Sequence, residues 1–169
     1  MNRSSRSGFT LVEILIVVVI MGILAAIVVP QFSQSSDDAR FTSAIQNLQS
    51  MRGQVDLYRN QHEGRLPGDT TDSDDDTTFR DQMILPTNEL GDRGAFGSVS
   101  FPYGPYLHNQ LPANPSNGSR KVKNVTTFTA LAPGGDTVGD PGWVYERSSG
   151  RIRINKQGNA PDGTLWWNL

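Results

Sequence analysis

From Phe9 to Val29 the chain reads FTLVEILIVVVIMGILAAIVV, with one ionisable side chain, Glu13, and nothing but apolar residues from Ile14 onward. No other feature constrains the fold as strongly. At ~1.5 Å per residue a helix of this length covers roughly 30 Å, the thickness of a bilayer's hydrocarbon core. A carboxylate in such a helix costs on the order of 2.5–3.5 kcal/mol on insertion scales, so Glu13 is expected to meet a compensating positive charge.

The run is preceded by MNRSSRSG, a polar leader with Arg3 and Arg6 that ends in Gly8. A secretory signal places its small-residue cleavage site after the apolar core. Here the small residue comes before it, and Ala25 and Ala26 lie inside the apolar run. Cleavage after Gly8 removes both leader arginines and creates an α-amino group on Phe9, four residues from Glu13. That amine would supply the missing charge.

The segment Gly8-Phe9-Thr10-Leu11-Val12-Glu13, followed by an apolar helix with Gly22 and Pro30, resembles the class III signal of type IV pilins and type II secretion pseudopilins. The resemblance runs from Gly8 to Phe32. It implies cleavage between Gly8 and Phe9 by a prepilin peptidase and N-methylation of Phe9. It also gives Glu13 a role in filament assembly, pairing with the amine of a neighbouring subunit. Desolvation offsets much of the attraction between two such charges in a low-dielectric bundle, so the pair fixes register more than it adds stability. Sequence alone leaves the intrasubunit and intersubunit pairings equally open.

The chain has 169 residues, room for about one ordinary domain beyond the apolar helix. Its formal net charge is −2, and losing Arg3 and Arg6 makes it more negative. A nucleic-acid binder presents clustered basic residues. The nearest approaches here, Arg120-Lys121-Val122-Lys123 and Arg151-Ile152-Arg153, read as solvated faces. With no cysteine, neither disulfides nor thiolate metal sites form, and the head must close by packing or by a bound ion.

After Pro30, which loosens or kinks a helix, Phe41, Ile45, Leu48, Met51, Val55 and Tyr58 recur at three- and four-residue steps and predict an amphipathic helix over 31–62. Joined to the apolar segment 9–30, it makes a rod of roughly 80 Å. Gly22 and Pro30 read as points where that rod unwinds as the subunit leaves the bilayer. His62-Glu63-Gly64 and Pro67-Gly68 end it, and 63–169 is expected to form the head. An acidic run, Asp69, Asp72, Asp74, Asp75 and Asp76, reads as a solvated loop. It fails as an EF-hand because Thr77 and Met83 occupy the required glycine and glutamate positions.

From Ile84 to Pro115 the sequence suggests irregular loops anchored by Tyr103, Tyr106 and Leu107. Gly104-Pro105-Tyr106-Leu107, Leu111-Pro112 and Asn114-Pro115 resemble the matching region of the major pseudopilin G. Val122 to Ala130 reads as a strand, and Trp143–Glu146 and Arg151–Ile154 as a hairpin across a four-residue turn. Trp166-Trp167 is too aromatic for a free tail and is expected to dock. The fold class expected is α+β, a long N-terminal helix packed on a small antiparallel sheet.

No Walker loop, dinucleotide fingerprint, zincin or nucleophile-elbow motif occurs, and His62 and His108 fall in apparent surface turns. An enzyme is not expected. By resemblance to pseudopilin G heads, calcium is the one cofactor implied, with Asp136, Asp140 and Asp162 as candidate oxygen ligands; the plainer reading makes them turn-forming aspartates. The expected function is a structural subunit of a type II secretion pseudopilus, held in the inner membrane with its head in the periplasm. Its implied partners are lipid, the prepilin peptidase, the inner-membrane assembly platform, minor pseudopilins and further copies of itself. The alternatives are a surface type IV pilin, a single-pass anchored binding protein that never polymerises, and an exported soluble domain.

Overall fold

The computed structural model describes residues 8–69, 76–128, 134, 137 and 139–169. The chain divides into two units, Met1–Ala39 and Arg40–Leu169. The first helix, α1, runs Leu11–Gln61 and includes both Gly22 and Pro30.

In the second unit the three- and four-residue rhythm of α1 becomes a core. Ala44, Leu48, Met51, Val55 and Tyr58 are all buried, with Phe41 packed at the edge. The opposite side of the same helix carries Asp56, Arg59 and Asn60, exposed to water. This division is what a 3.6-residue period dictates when one stripe is apolar. Against that stripe lies a sheet of three four-residue strands, β1 (Val122–Val125), β2 (Trp143–Glu146) and β3 (Arg151–Ile154), in the order β1-β2-β3. Trp143 and Tyr145 from β2, and Ile152 and Ile154 from β3, have no exposed surface and belong to the same core cluster.

The expected hairpin is present: β2 and β3 pair antiparallel, Glu146 opposite Arg151, across Arg147–Gly150. The sheet as a whole is mixed, however, rather than antiparallel. β1 pairs parallel with β2, Val122 opposite Trp143. Parallel neighbours need a crossover of about a dozen residues or more, and the glycine-rich stretch between Val125 and Trp143 is long enough to carry the chain back to the sheet's starting edge. β1 also stops at Val125, short of the expected strand, and residues 129–133 lie outside the described residues.

A second helix, α2 (Asp76–Ile84), was not expected. It buries Phe79, Gln82 and Met83. Two apolar residues four apart after an acidic run are too little signal to mark a helix. Tyr106 is buried and Tyr103 and Leu107 half-buried against the core, as anchors should be. The tail docks as a short 3-10 helix, Trp166–Asn168, with the Trp166 ring edge-on to Phe41 at 5.3 Å.

The second unit closes through side-chain amides and one carboxylate. Asn114 Nδ2 donates to the Gly142 carbonyl (2.8 Å) and Asn155 Nδ2 to that of Pro141 (2.8 Å), while Asn155 Oδ1 accepts from Gly134 N (3.0 Å). Gly142 is required at this approach, because a Cβ there would lie 2.4 Å from the Ser119 carbonyl oxygen. At the hairpin, Glu146 accepts from Phe128 N (2.8 Å), from Arg151 Nε and Nη2 (2.9 and 2.7 Å) and from the Ser149 hydroxyl. Each bond to a charged group contributes about 1.5–3 kcal/mol net.

Truncation should separate the two faces of α1. Leu48→Ala removes a buried side chain and is expected to cost about 2–5 kcal/mol, whereas Leu57→Ala, at an exposed position, should stay within about 0.5 kcal/mol of the parent. Denaturant unfolding followed by tryptophan fluorescence measures both.

Candidate functional site

The functional residues read from the sequence cluster at the N-terminal end. Gly8, Phe9 and Thr10 precede α1 and are exposed, so the Gly8–Phe9 peptide bond lies outside the helix. A peptidase that binds its substrate extended meets this bond without first unwinding a turn. The remaining leader, 1–7, lies outside the described residues.

Helix α1 begins at Leu11 because Thr10 and Glu13 cap it reciprocally. The Thr10 hydroxyl accepts from Glu13 N (3.2 Å), and the Glu13 carboxylate accepts from Thr10 N (2.8 Å) and from the Thr10 hydroxyl (2.8 Å). This is a capping box, in which two otherwise orphaned backbone donors satisfy one another's side chains. Its sequence signal, Thr or Ser three residues before Glu at the head of an apolar run, is present as Thr10-x-x-Glu13. Reading Glu13 only for its charge overlooks it. Among the described residues, the carboxylate's partners are neutral donors at the positive end of the helix dipole.

Beyond the cap, none of Leu11–Val29 is buried by the chain's own fold, and this is the one stretch among the described residues long and apolar enough to cross a membrane. The core helix of a soluble protein would be mostly buried. Every Leu, Ile and Val of the stretch therefore faces outward, for lipid or another protein to cover.

Of the candidate metal ligands, Asp140 and Asp162 are described, and each has hydrogen-bond partners in its own turn. Asp140 accepts from Thr137 N (3.1 Å) and from the Thr137 hydroxyl, and Asp162 Oδ1 accepts from Thr164 N (2.9 Å). Each is engaged in its own turn. Asp136 lies outside the described residues, and among the described residues no group of three or more His, Cys, Asp or Glu is placed to hold an ion.

His108 is exposed, as expected, but His62 is fully buried, against the expectation of a surface turn. It sits one residue past α1, stacked on Tyr58 at 3.7 Å between ring centres. Its Nδ1 lies 2.8 Å from the Tyr58 carbonyl and its Nε2 3.0 Å from the Thr87 hydroxyl. A carbonyl only accepts, so Nδ1 carries the proton and Nε2 accepts from Thr87. The histidine ties the helix end to the loop that follows α2, which is packing rather than catalysis.

Residues 3–29 match the Prokaryotic N-terminal methylation motif. The match thus covers the segment ahead of α1 and the apolar part of that helix. The chain is similar to type II secretion system core protein G, 48% identical over 59 residues to the protein of Pseudomonas aeruginosa, covering 35% of this chain and 42% of that one. The Klebsiella michiganensis protein of the same name is 41% identical over 59 residues, with the same shares covered, and that of Vibrio cholerae 37% identical over 54 residues, covering 32% and 37%. The matched segments span about two-fifths of these relatives' length. No solved structure matches the chain.

Two groups in the head make its stability acid-sensitive. Burial holds the His62 ring below the usual histidine range. The unfolded chain therefore takes up the proton first, and stability falls as pH drops below about 6.5. Burial pushes the Glu146 carboxyl up, but the Ser149 hydroxyl, the Phe128 amide and Arg151 together hold it below the usual carboxylate range. Its contribution is present above the unfolded value and is lost as pH falls below about 4.5. The melting temperature should fall in two stages on acidification. His62→Phe should flatten the stage between pH 7 and 5 and leave the lower one.

Proposed function

We propose that this chain is a structural subunit of a type II secretion pseudopilus. It is made as a prepilin, cleaved after Gly8, N-methylated at Phe9 and polymerised into a periplasmic filament that drives protein export. The observation that carries this reading is the pairing of an unburied apolar helix, carrying a single capped glutamate, with a separately closed head. An anchor alone needs the apolar residues but not Glu13. A polymer whose helices pack together uses both.

The mechanism is mechanical. In the membrane, lipid covers Leu11–Val29, with Leu, Ile and Val each contributing roughly 0.3–0.6 kcal/mol on insertion scales. Cleavage frees the Phe9 amine, and Glu13 gains a charged partner in a neighbouring copy while Thr10 keeps the helix start defined. Gly22 and Pro30 lower local helix stability by about 1 and about 3 kcal/mol relative to alanine, which lets the segment yield as lipid contacts are exchanged for helix contacts. The prepilin peptidase, the inner-membrane platform and minor pseudopilins are the partners this reading requires. It includes no step through calcium. The name shared by the similar proteins favours the pseudopilus over a surface pilus.

Glu13→Ala provides the test. The variant should insert and be processed as the parent is, yet fail to enter filaments sheared from cells and seen by electron microscopy. Filaments from Glu13→Ala at parental yield would exclude an assembly role for the carboxylate and leave a membrane-anchored head.

A further inference from the structure

Among the described residues of Arg40–Leu169, five large apolar side chains are exposed, and three of them, Leu90, Phe96 and Val99, belong to one loop between α2 and Tyr103. Val99 is 95% exposed, about as open as a side chain in a folded domain can be.

The loop is built rather than slack. Asn88 Oδ1 accepts from Leu90 N (3.0 Å) and Asp92 N (2.9 Å), and Gln82 Nε2 donates to the Gly91 carbonyl (2.8 Å). Gly94 N donates to the Pro86 carbonyl (2.9 Å), and the Phe101 ring lies so close over Gly94 that a Cβ there would be 2.1 Å from it. A preorganised loop that presents apolar side chains to water lowers the ordering cost of binding a partner. Its exposed charges at the base are Glu89 and Asp92, while Arg93 is already paired with Asp81 (3.0 Å).

The complementary surface is on the same chain. Arg120, Lys121 and Lys123 are exposed and, among the described residues, form no salt bridge. The loop sits by the end of α1, through Thr87 on His62 and Tyr106 on Gln61 (2.7 Å). The basic segment follows Ala113 and Asn114, and Ala113 is tied to Asn47 (3.1 Å), with Asn114 N donating to the Ser119 carbonyl (2.9 Å). Asn47 and His62 are about 22 Å apart along the helix at ~1.5 Å per residue. The acidic, apolar loop is thus anchored at the Gln61–His62 end of α1, and the stretch leading to the basic segment is anchored at Asn47.

We infer that the 88–101 loop of one copy docks on the 119–123 segment of a second copy, head to tail. The inference rests on the filament reading and adds the surface through which the heads meet. Two different surfaces meet in this contact, so it is heterologous, and where its rotation does not close it generates a fibre rather than a dimer. Lysine stems cover Phe96 and Val99 while their ammonium groups face Glu89 and Asp92.

The native chain has no cysteine, so introduced thiols are read without background. In filaments of the full chain treated with a short bismaleimide, Val99→Cys combined with Lys121→Cys should give a ladder of multimers, and neither single variant should. Glu89→Lys and Lys121→Glu should each lower filament yield by about threefold to fivefold, the size of an exposed charge pair, and the double reversal should restore it. Dimers from Val99→Cys alone would mean a symmetric contact and overturn the inference, as would failure of the reversal to rescue. Filaments of the double-cysteine variant without a ladder would overturn this contact and leave the filament reading standing. Absence of filaments from the parent chain would overturn both.

Discussion

The apolar surface of Leu11–Val29 has no partner within its own fold, and the rest of the molecule answers to that. A helix left open to water in this way sets a requirement for lipid or for other helices. The second unit has to be self-sufficient, because it cannot borrow this surface for its core. It is so: α1 from Phe41 onward supplies one apolar stripe, the sheet supplies the facing one, and the connecting loops are fastened by Asn114, Asn155 and Glu146 in place of disulfides.

Glu13 is held at the head of its own helix by Thr10. Its carboxylate is satisfied by the Thr10 amide and hydroxyl, so the helix start is defined within the chain itself. On the proposed filament reading, a neighbouring amine competes with this local cap rather than rescuing an unsatisfied group. Thr10 and Glu13 cap the helix at Leu11, and the Gly8–Phe9 bond lies outside it.

Much of this was legible in the residues themselves. The α1 stripe, the β2–β3 hairpin, the docked tryptophans and the N-terminal signal all come from strong local patterns, either periodic or motif-based. What escaped depends on tertiary context. The parallel β1–β2 pairing turns on where a long crossover returns, which no local pattern encodes. Helix α2 carries only Phe79, Met83 and Ile84 as apolar markers. His62 looked like a surface turn residue because glutamate and glycine follow it, yet its burial is decided by Tyr58 below and Thr87 across. The capping box is a different case, since its signal is fully local.

The claim at the centre is that the apolar helix becomes the N-terminus of a mature, assembled subunit. Intact-mass and N-terminal peptide analysis of the protein from native membranes tests it most directly. The account requires a chain that begins at N-methylated Phe9 and lacks the eight preceding residues. A chain still carrying Met1, in cells whose prepilin peptidase is active, would contradict it and leave the helix as an anchor.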